Sequence, residues 1–577
     1  MTLPEGPEPK REKTLRPLPP GSGDRLDFVA SGWRPWFLLI LLCLTFYLPG
    51  MTTLPPVDRD EARYIQATRQ MLESHDYLNI RFQDTARNQK PAAIYWLQSV
   101  AVSLVSSPEA TSVWPYRSVS VLGAIVAVLG LFAAGSRLFD RRTGLVAAAF
   151  LASALVMVME AHFATTDAVL LALVVLAQGL LARAYIGHRR GESFGFGAAT
   201  GFWVLQGASI LVKGPMLPAL SALTVIVLVI LDRRAAWLKS LRVLWGLLIV
   251  AAIVLPWLYL MQKATNGAFL HASIGTDFLG KIDSGQQSHG APPGYYLLGS
   301  QVTLWPATLF EGLAILWAWR NRRLPATRLA LAWLLPFWIV LECVRTKLPH
   351  YILPVYPAAA LLTARALLAY AEEGFHPRSR AWIVVPAVIW SVVGLAIAGA
   401  ALFLAVHFDW NAGSCLGASL ALAGLLATVW QFWRQHRAQH HIGSALLAVA
   451  GAALLVVPCF GMVLPSIAPI WVSREAKALV DVTRKPGEKV GLVGYDEPSL
   501  VFLLGTDTPA LEPDPAARDL GSGKVAMVLV EQRRAQEFLQ AATTSHVSLH
   551  PLGSVSGFDY SNGHQTTLTL YRTDIKP

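Results

Sequence analysis

Long apolar runs separated by short polar connections dominate the chain. They begin near residues 36, 114, 143, 165, 197, 215, 241, 294, 328, 351, 381, 412 and 441. Each is long enough to cross roughly 30 Å of hydrocarbon, so the pattern predicts about thirteen transmembrane helices. Alternate connections carry basic clusters, among them Arg137/Arg141/Arg142, Arg183/Arg189/Arg190, Arg233/Arg234/Lys239/Arg242, Arg320/Arg322/Arg323/Arg328, Arg378/Arg380 and Arg434/Arg437. The positive-inside rule places these in the cytoplasm. The remaining connections, 52–113, 159–167, the turn at Lys213, 262–293, 345–351 and 407–412, then face outward with everything after about residue 468. An odd number of spans from a cytoplasmic N-terminus agrees with an external C-terminus; the two marginal runs around Lys213 are the weakest part of the count.

From Trp471 the period changes. Short β-rich runs (Lys489–Gly494, Val525–Val530, Val547–His550, Thr566–Tyr571) alternate with helical segments near 498–504 and 533–542, predicting an external α/β domain over 469–577. Its Gly491–Gly494 turn lacks the full G-x-G-x-x-G pattern and is assigned no nucleotide. Residues 1–33 are polar, Pro-rich and basic and read as a disordered cytoplasmic tail. The run from Trp36 is followed by Thr-Thr-Leu-Pro-Pro, without an A-x-A-like cleavage site, so it reads as a retained first span. The transmembrane unit then covers 34–468, with external loop 52–113.

Composition agrees: 54% of the 577 residues are hydrophobic and 15% charged, against roughly 25% charged in a soluble protein. The net charge of +11 falls in the inter-span clusters, which argues against nucleic acid as a partner. Cys43, Cys343, Cys415 and Cys459 lie in apolar stretches without metal-type spacing and read as small core residues.

Candidate chemistry gathers on the external side. In the first loop, Tyr64, Ile65, Met71 and Leu72 recur at helical spacing beside Glu61, Arg63, Arg69 and Glu73, predicting a surface helix that starts at Asp60. Asp60 is an expected N-cap; the crowding of Asp58, Asp60, Glu61 and Arg63 at one helix mouth also suits steering an anion or accepting a proton. Lys90 places a cation at the outer interface, or snorkels to headgroups. Asp167, Lys213, His271, Asp277, His289, Arg345, Lys347 and Tyr351 fall on the same side; Asp167 can serve as a cap, Lys213 can snorkel and Tyr351 can anchor at the interface. Clustering of carboxylates, cations and histidines on one side suggests a polar site at the membrane edge rather than a transport path through its centre.

Asp60-Glu61-Ala62-Arg63-Tyr64, Lys90-Pro91 with Tyr95-Trp96, Lys213-Gly214-Pro215, His289 before Gly294-Tyr295-Tyr296 and Trp305-Pro306, and Lys347-Leu348-Pro349-His350-Tyr351-Ile352-Leu353-Pro354 together resemble the lipid A aminoarabinose transferase (ArnT-like) family. That family belongs to the GT-C class, with the protein O-mannosyltransferases. The resemblance runs from about residue 35 to 365 in motif detail. It implies a polytopic α-helical GT-C membrane fold with a C-terminal α/β periplasmic domain, in a bacterial inner membrane with the active site periplasmic. It further implies Asp60 and Asp167 as catalytic residues, and Arg63, Tyr64, Lys90, Lys213, Arg345, Lys347 and Tyr351 as substrate-binding residues, with Arg63, Lys90 and Tyr351 at the carrier phosphate. No cofactor is required. The family often has Glu before Lys-Pro, holding a metal ion with a later histidine; Gln89 replaces it here, which leaves a divalent metal open, with His271 and His289 as possible ligands.

The activity so implied is inverting transfer of a sugar, foremost 4-amino-4-deoxy-L-arabinose, from undecaprenyl phosphate to lipid A. Another sugar (hexose, hexosamine or uronic acid) passed to another envelope glycan or protein fits the same residues. A lipid-linked-sugar flippase is the alternative from another class, and would be expected to show internal repeats and charged or broken helices at the bilayer midplane. A third alternative is a non-catalytic membrane scaffold whose external domain binds a partner.

Overall fold

A computed structural model describes residues 24–88, 90–270, 290–437 and 441–573. The expected sites at Gln89, His271, Asp277 and His289 lie outside the described residues. The chain begins with helices α1 (Asp24–Ala30), α2 (Arg34–Tyr47), α3 (Asp60–Ser74), α4 (Ala93–Val105) and α5 (Trp114–Leu138). It continues with α6 (Arg141–Ser153), α7 (Leu155–His162), α8 (Asp167–Arg189), α9 (Phe196–Lys213), α10 (Met216–Asp232) and α11 (Val243–Ala264). The tail expected through residue 33 therefore ends earlier. Leu26, Val29 and Ala30 pack against the transmembrane core, and Arg142 binds Asp27 and Glu372.

Eight described helices are long and apolar enough to cross a membrane, and two bent pairs bring that number to ten. One pair is α6 and α7, bent by 59°; the other is Tyr295–Thr303 with Ala307–Arg320, bent by 111° around the Trp305-Pro306 step. The other three expected spans correspond to α2, α9 and α10, which are not among the ten; α2 has 14 residues and α10 has 17.

Helices α5 and α8 form the centre. Gly123 brings their backbones together, since a Cβ there would meet the Val169 nitrogen at 2.9 Å and the Ala168 carbonyl at 3.0 Å. Such close approach is what a small residue in a membrane helix interface permits. The opposite extreme is α11, whose apolar window is only 11% buried.

The C-terminal unit has a four-stranded sheet of β3 (Val490–Val493), β4 (Met527–Glu531), β5 (His550–Asp559) and β6 (His564–Arg572), in the order β3-β4-β6-β5. β3 and β4 are parallel and the other pairs antiparallel. Helices Val472–Thr483, Pro498–Leu504, Pro513–Gly521 and Gln532–Thr544 surround it. The strand expected at Val547–His550 begins where that prediction ended. It runs on because Gly557 lets β5 pass close to the Pro469 carbonyl, 2.3 Å from where a Cβ would stand.

Candidate active site at the mouth of α3

The N-cap of α3 is Arg59, and no side chain caps the helix. Asp60, expected there as a cap, is instead the first helical residue and is exposed. Its neighbour Glu61 is locked inward. Glu61 accepts hydrogen bonds from Arg117 Nε and Nη2 at 2.8 Å each, from the Val57 amide at 2.9 Å and from the Ala164 amide at 2.8 Å. Arg117 also donates to the carbonyls of Leu54 and Pro55. The side chains of this pair are 0% and 1% exposed, so one buried ion pair joins the loop before Asp60, helix α5 and the connection three residues before Asp167.

Asp167 opens α8 and accepts from Lys213 Nζ at 2.5 Å, linking the start of α8 to the end of α9. The Lys213 ammonium is also 5.3 Å from the centre of the Tyr351 ring. His350 stands between two carboxylates, with Nδ1 3.6 Å from Glu160 and Nε2 4.0 Å from Asp167. Thr165 Oγ1 donates to Glu160 at 2.8 Å. Asp60 and Lys90 lie within electrostatic reach of His350, and Asp60 within reach of Arg63 and Tyr64. Burial, and then the neighbouring charge of Arg87, holds the Arg63 pKa below its usual value.

Asp60, Arg63, Tyr64, Lys90, Asp167, Lys213 and Tyr351 are thus brought into one neighbourhood, on which separate stretches of chain converge. Among the described residues, Arg345 and Lys347 make no hydrogen bond or ion pair with these groups. Arg345 is exposed and its carbonyl accepts from the Ala291 amide, while the buried Lys347 ammonium donates to the Val344 carbonyl. Among the described residues no group of three or more His, Cys, Asp or Glu is arranged to hold a metal ion. Arg87, Arg117, Glu160 and His350 are not singled out as site residues by the sequence. The signal for two of them was present, because Arg117 and Glu160 are lone charges in apolar runs, where an ionisable residue is expensive and usually has a task.

The α/β domain holds the same helix mouth from its other side. The Asp58 amide donates to Tyr560 Oη at 2.9 Å, the Ser499 amide donates to the Asp58 carboxylate at 2.8 Å, and Arg59 donates to Asn562 at 2.5 Å. One to three turns along α3, Gln66 donates to Thr506 Oγ1 and Arg69 to the Phe502 carbonyl. Burial lifts the Asp58 carboxyl to about 6. Burial, together with the charges of Asp58 and Asp559, lifts Glu497 to about 7.

Residues 89–260 match the family described as dolichyl-phosphate-mannose-protein mannosyltransferase. An undecaprenyl phosphate-α-4-amino-4-deoxy-L-arabinose arabinosyl transferase of Pectobacterium carotovorum is 26% identical over 390 residues, which cover 66% of this chain and 67% of that one. Its counterpart in Pseudomonas paraeruginosa is 27% identical over 341 residues, covering 58% of this chain and 60% of that one. In fold, ArnT of Cupriavidus metallidurans in the apo state superposes over 94% of this chain and 98% of its own, with a TM-score of 0.72 at 20% identity. The chain has the fold of ArnT. The same Cupriavidus protein bound to undecaprenyl phosphate superposes with a TM-score of 0.71. The fold match spans both the membrane unit and the α/β domain of this chain, whereas the family match at 89–260 includes Lys90, Asp167 and Lys213.

Proposed function

We propose that this ArnT-like protein transfers 4-amino-4-deoxy-L-arabinose from undecaprenyl phosphate to lipid A on the periplasmic face of a bacterial inner membrane. The observation that carries the reading is the convergence of Asp60 and Asp167 with Arg63, Lys90 and Lys213 at the mouth of α3. The names of the relatives and the carrier-bound Cupriavidus structure support the choice of donor.

A lipid A phosphate oxygen attacks the anomeric carbon from the face opposite the carrier. The bond from that carbon to the carrier phosphate oxygen breaks, and undecaprenyl phosphate leaves with inversion. The acceptor is anionic at neutral pH and needs no base, so Asp60 serves to stabilise positive charge developing on the sugar ring. Arg63 and Lys90 offset negative charge growing on the leaving phosphate, and fixed cations in a partly dry site do this better than water. Lys213 neutralises Asp167 and keeps that carboxylate oriented. A cleft of about 670 Å³ lined by Tyr77, Trp96, Leu211 and Trp257 offers an apolar surface that reaches α9 two residues before Lys213.

The test is a mass spectrum of lipid A from cells lacking the gene, complemented with the intact protein or with Asp60→Asn at equal expression. A pentosamine-sized addition that returns only with the intact protein is expected. Unchanged lipid A overturns the acceptor. The mannosyltransferase family match would then favour a second reading, transfer of a hexose to another envelope glycan or protein.

A further inference from the structure

Arg87 follows the short hairpin of β1 (Arg81–Phe82) and β2 (Thr85–Ala86) and is only 9% exposed. Its Nε donates to Tyr95 Oη at 3.0 Å, and its guanidinium lies 4.9 Å from the centre of the Tyr64 ring. The two tyrosine rings are themselves 5.4 Å apart, so a wedge of α3 and α4 aromatics fixes the plane of the guanidinium. Among the described residues no carboxylate comes within 4.0 Å of Arg87.

A buried cation without a counter-ion is costly, and Arg87 has a second cation beside it, because its charge acts on Arg63. Asp60 is within reach of both guanidinium groups but is exposed. Two guanidinium groups in a half-dry space repel each other until an anion comes between them. The planar N–H fork of arginine suits a phosphate, whose oxygens accept paired hydrogen bonds.

We infer that Arg87 is a phosphate-binding residue that, with Arg63, grips a lipid-borne phosphate at the mouth of α3. This rests on the glycosyl-transfer reading above, in which two such phosphates meet, one on the carrier and one on the acceptor. Tyr64 and Tyr95 act as positioning residues that hold the fork open.

The experiment uses the full-length protein in detergent, with undecaprenyl phosphate and undecaprenol as probes, and the variants Arg87→Gln and Arg87→Lys. Arg87→Gln should weaken undecaprenyl phosphate binding about tenfold, as expected for loss of a charge-assisted hydrogen bond. Binding of undecaprenol should not change. Arg87→Lys keeps the charge and should recover part of the loss, which also guards against a glutamine variant that fails to fold. Unchanged carrier binding with about a tenfold rise in KM for lipid A would assign Arg87 to the acceptor phosphate. Equal weakening of the phosphate and the alcohol, or no change in carrier binding and in KM, would overturn the inference and leave Arg87 as packing. Wild-type protein that binds alcohol and phosphate equally would instead refute the carrier assignment on which it rests.

Discussion

Glu61 and Asp60 are adjacent in sequence and opposite in role. Glu61 satisfies its carboxylate within the protein, on Arg117 and two amides, and that leaves Asp60 at the surface of the site. Removing one member of such a buried pair strands the other, at a typical cost of about 3–5 kcal/mol. Arg117→Met should therefore lower the melting temperature sharply in detergent, and Glu61→Leu/Arg117→Met should recover most of the loss. No recovery would show that the pair's contacts to Leu54, Pro55 and Ala164 matter more than its charge balance. Asp60→Asn keeps size and exposure, so it should leave folding and carrier binding intact. It should reduce kcat by about 100-fold or more, the scale seen when one transition-state electrostatic partner is lost; a single-turnover assay with saturating donor would check this. Asp60, Arg63 and Lys90 were legible because they stand in short motifs on a polar loop. Glu61–Arg117 and Glu160–His350 were not, because each pairs residues from separate stretches and only the fold brings them together.

Helices show the same division. Most spans were legible as apolar runs, and the sharp bend near Trp305-Pro306 carries its own sign in the proline, which cannot continue a helical hydrogen-bond ladder. The 59° bend between α6 and α7 carries no such sign. Neither proline nor glycine marks it, Ala154 is extended, and the Leu155 amide donates to the Trp305 carbonyl instead of up its own helix. A tertiary hydrogen bond thus replaces a local one, and that bend directs α7 with Glu160 toward His350. The α5–α8 crossing offers a prediction at this scale. Gly123→Leu would force the start of α8 away from α5 and carry Asp167 with it, so it should abolish transfer and lower the melting temperature, whereas Gly399→Leu, at a position where an added Cβ meets nothing, should do neither. Equal activity for the two variants would remove the argument that the crossing positions Asp167.

Across the whole molecule, the α/β domain is bound to the site and not merely appended to the last span. Its contacts with Asp58 include carboxyl groups whose pKa values are raised, to about 6 for Asp58 and about 7 for Glu497. A raised carboxyl binds more protons folded than unfolded, so its contribution to stability is greatest at low pH. That contribution falls as pH rises from the ordinary carboxylate range, near about 4, through the folded values. The domain should be more resistant to heat and protease at pH 5 than at pH 7.5. Asp58→Asn keeps an acceptor for the Ser499 amide and should remove more than roughly half of that dependence, because Glu497, which carries the rest, also loses the Asp58 charge that helps to raise it; an unaltered slope would locate the titration elsewhere. Deleting residues 473–577 should reduce transfer even where the truncated protein is stable, because α3 loses its contacts with Phe502 and Thr506 and the two residues before it lose theirs with Ser499, Tyr560 and Asn562. The strands and helices of this domain were legible from their alternation, but its attachment was not, since nothing in the residues 497–562 marks them as partners of residues 58–69.

The distance along the chain between those partners has a consequence for biosynthesis. Helix α3 leaves the ribosome ahead of the groups that clasp its mouth, each at least 433 residues beyond its partner. A nascent chain already inserted in the bilayer lacks them, so the order of translation itself delays completion of the site until the α/β domain has been made.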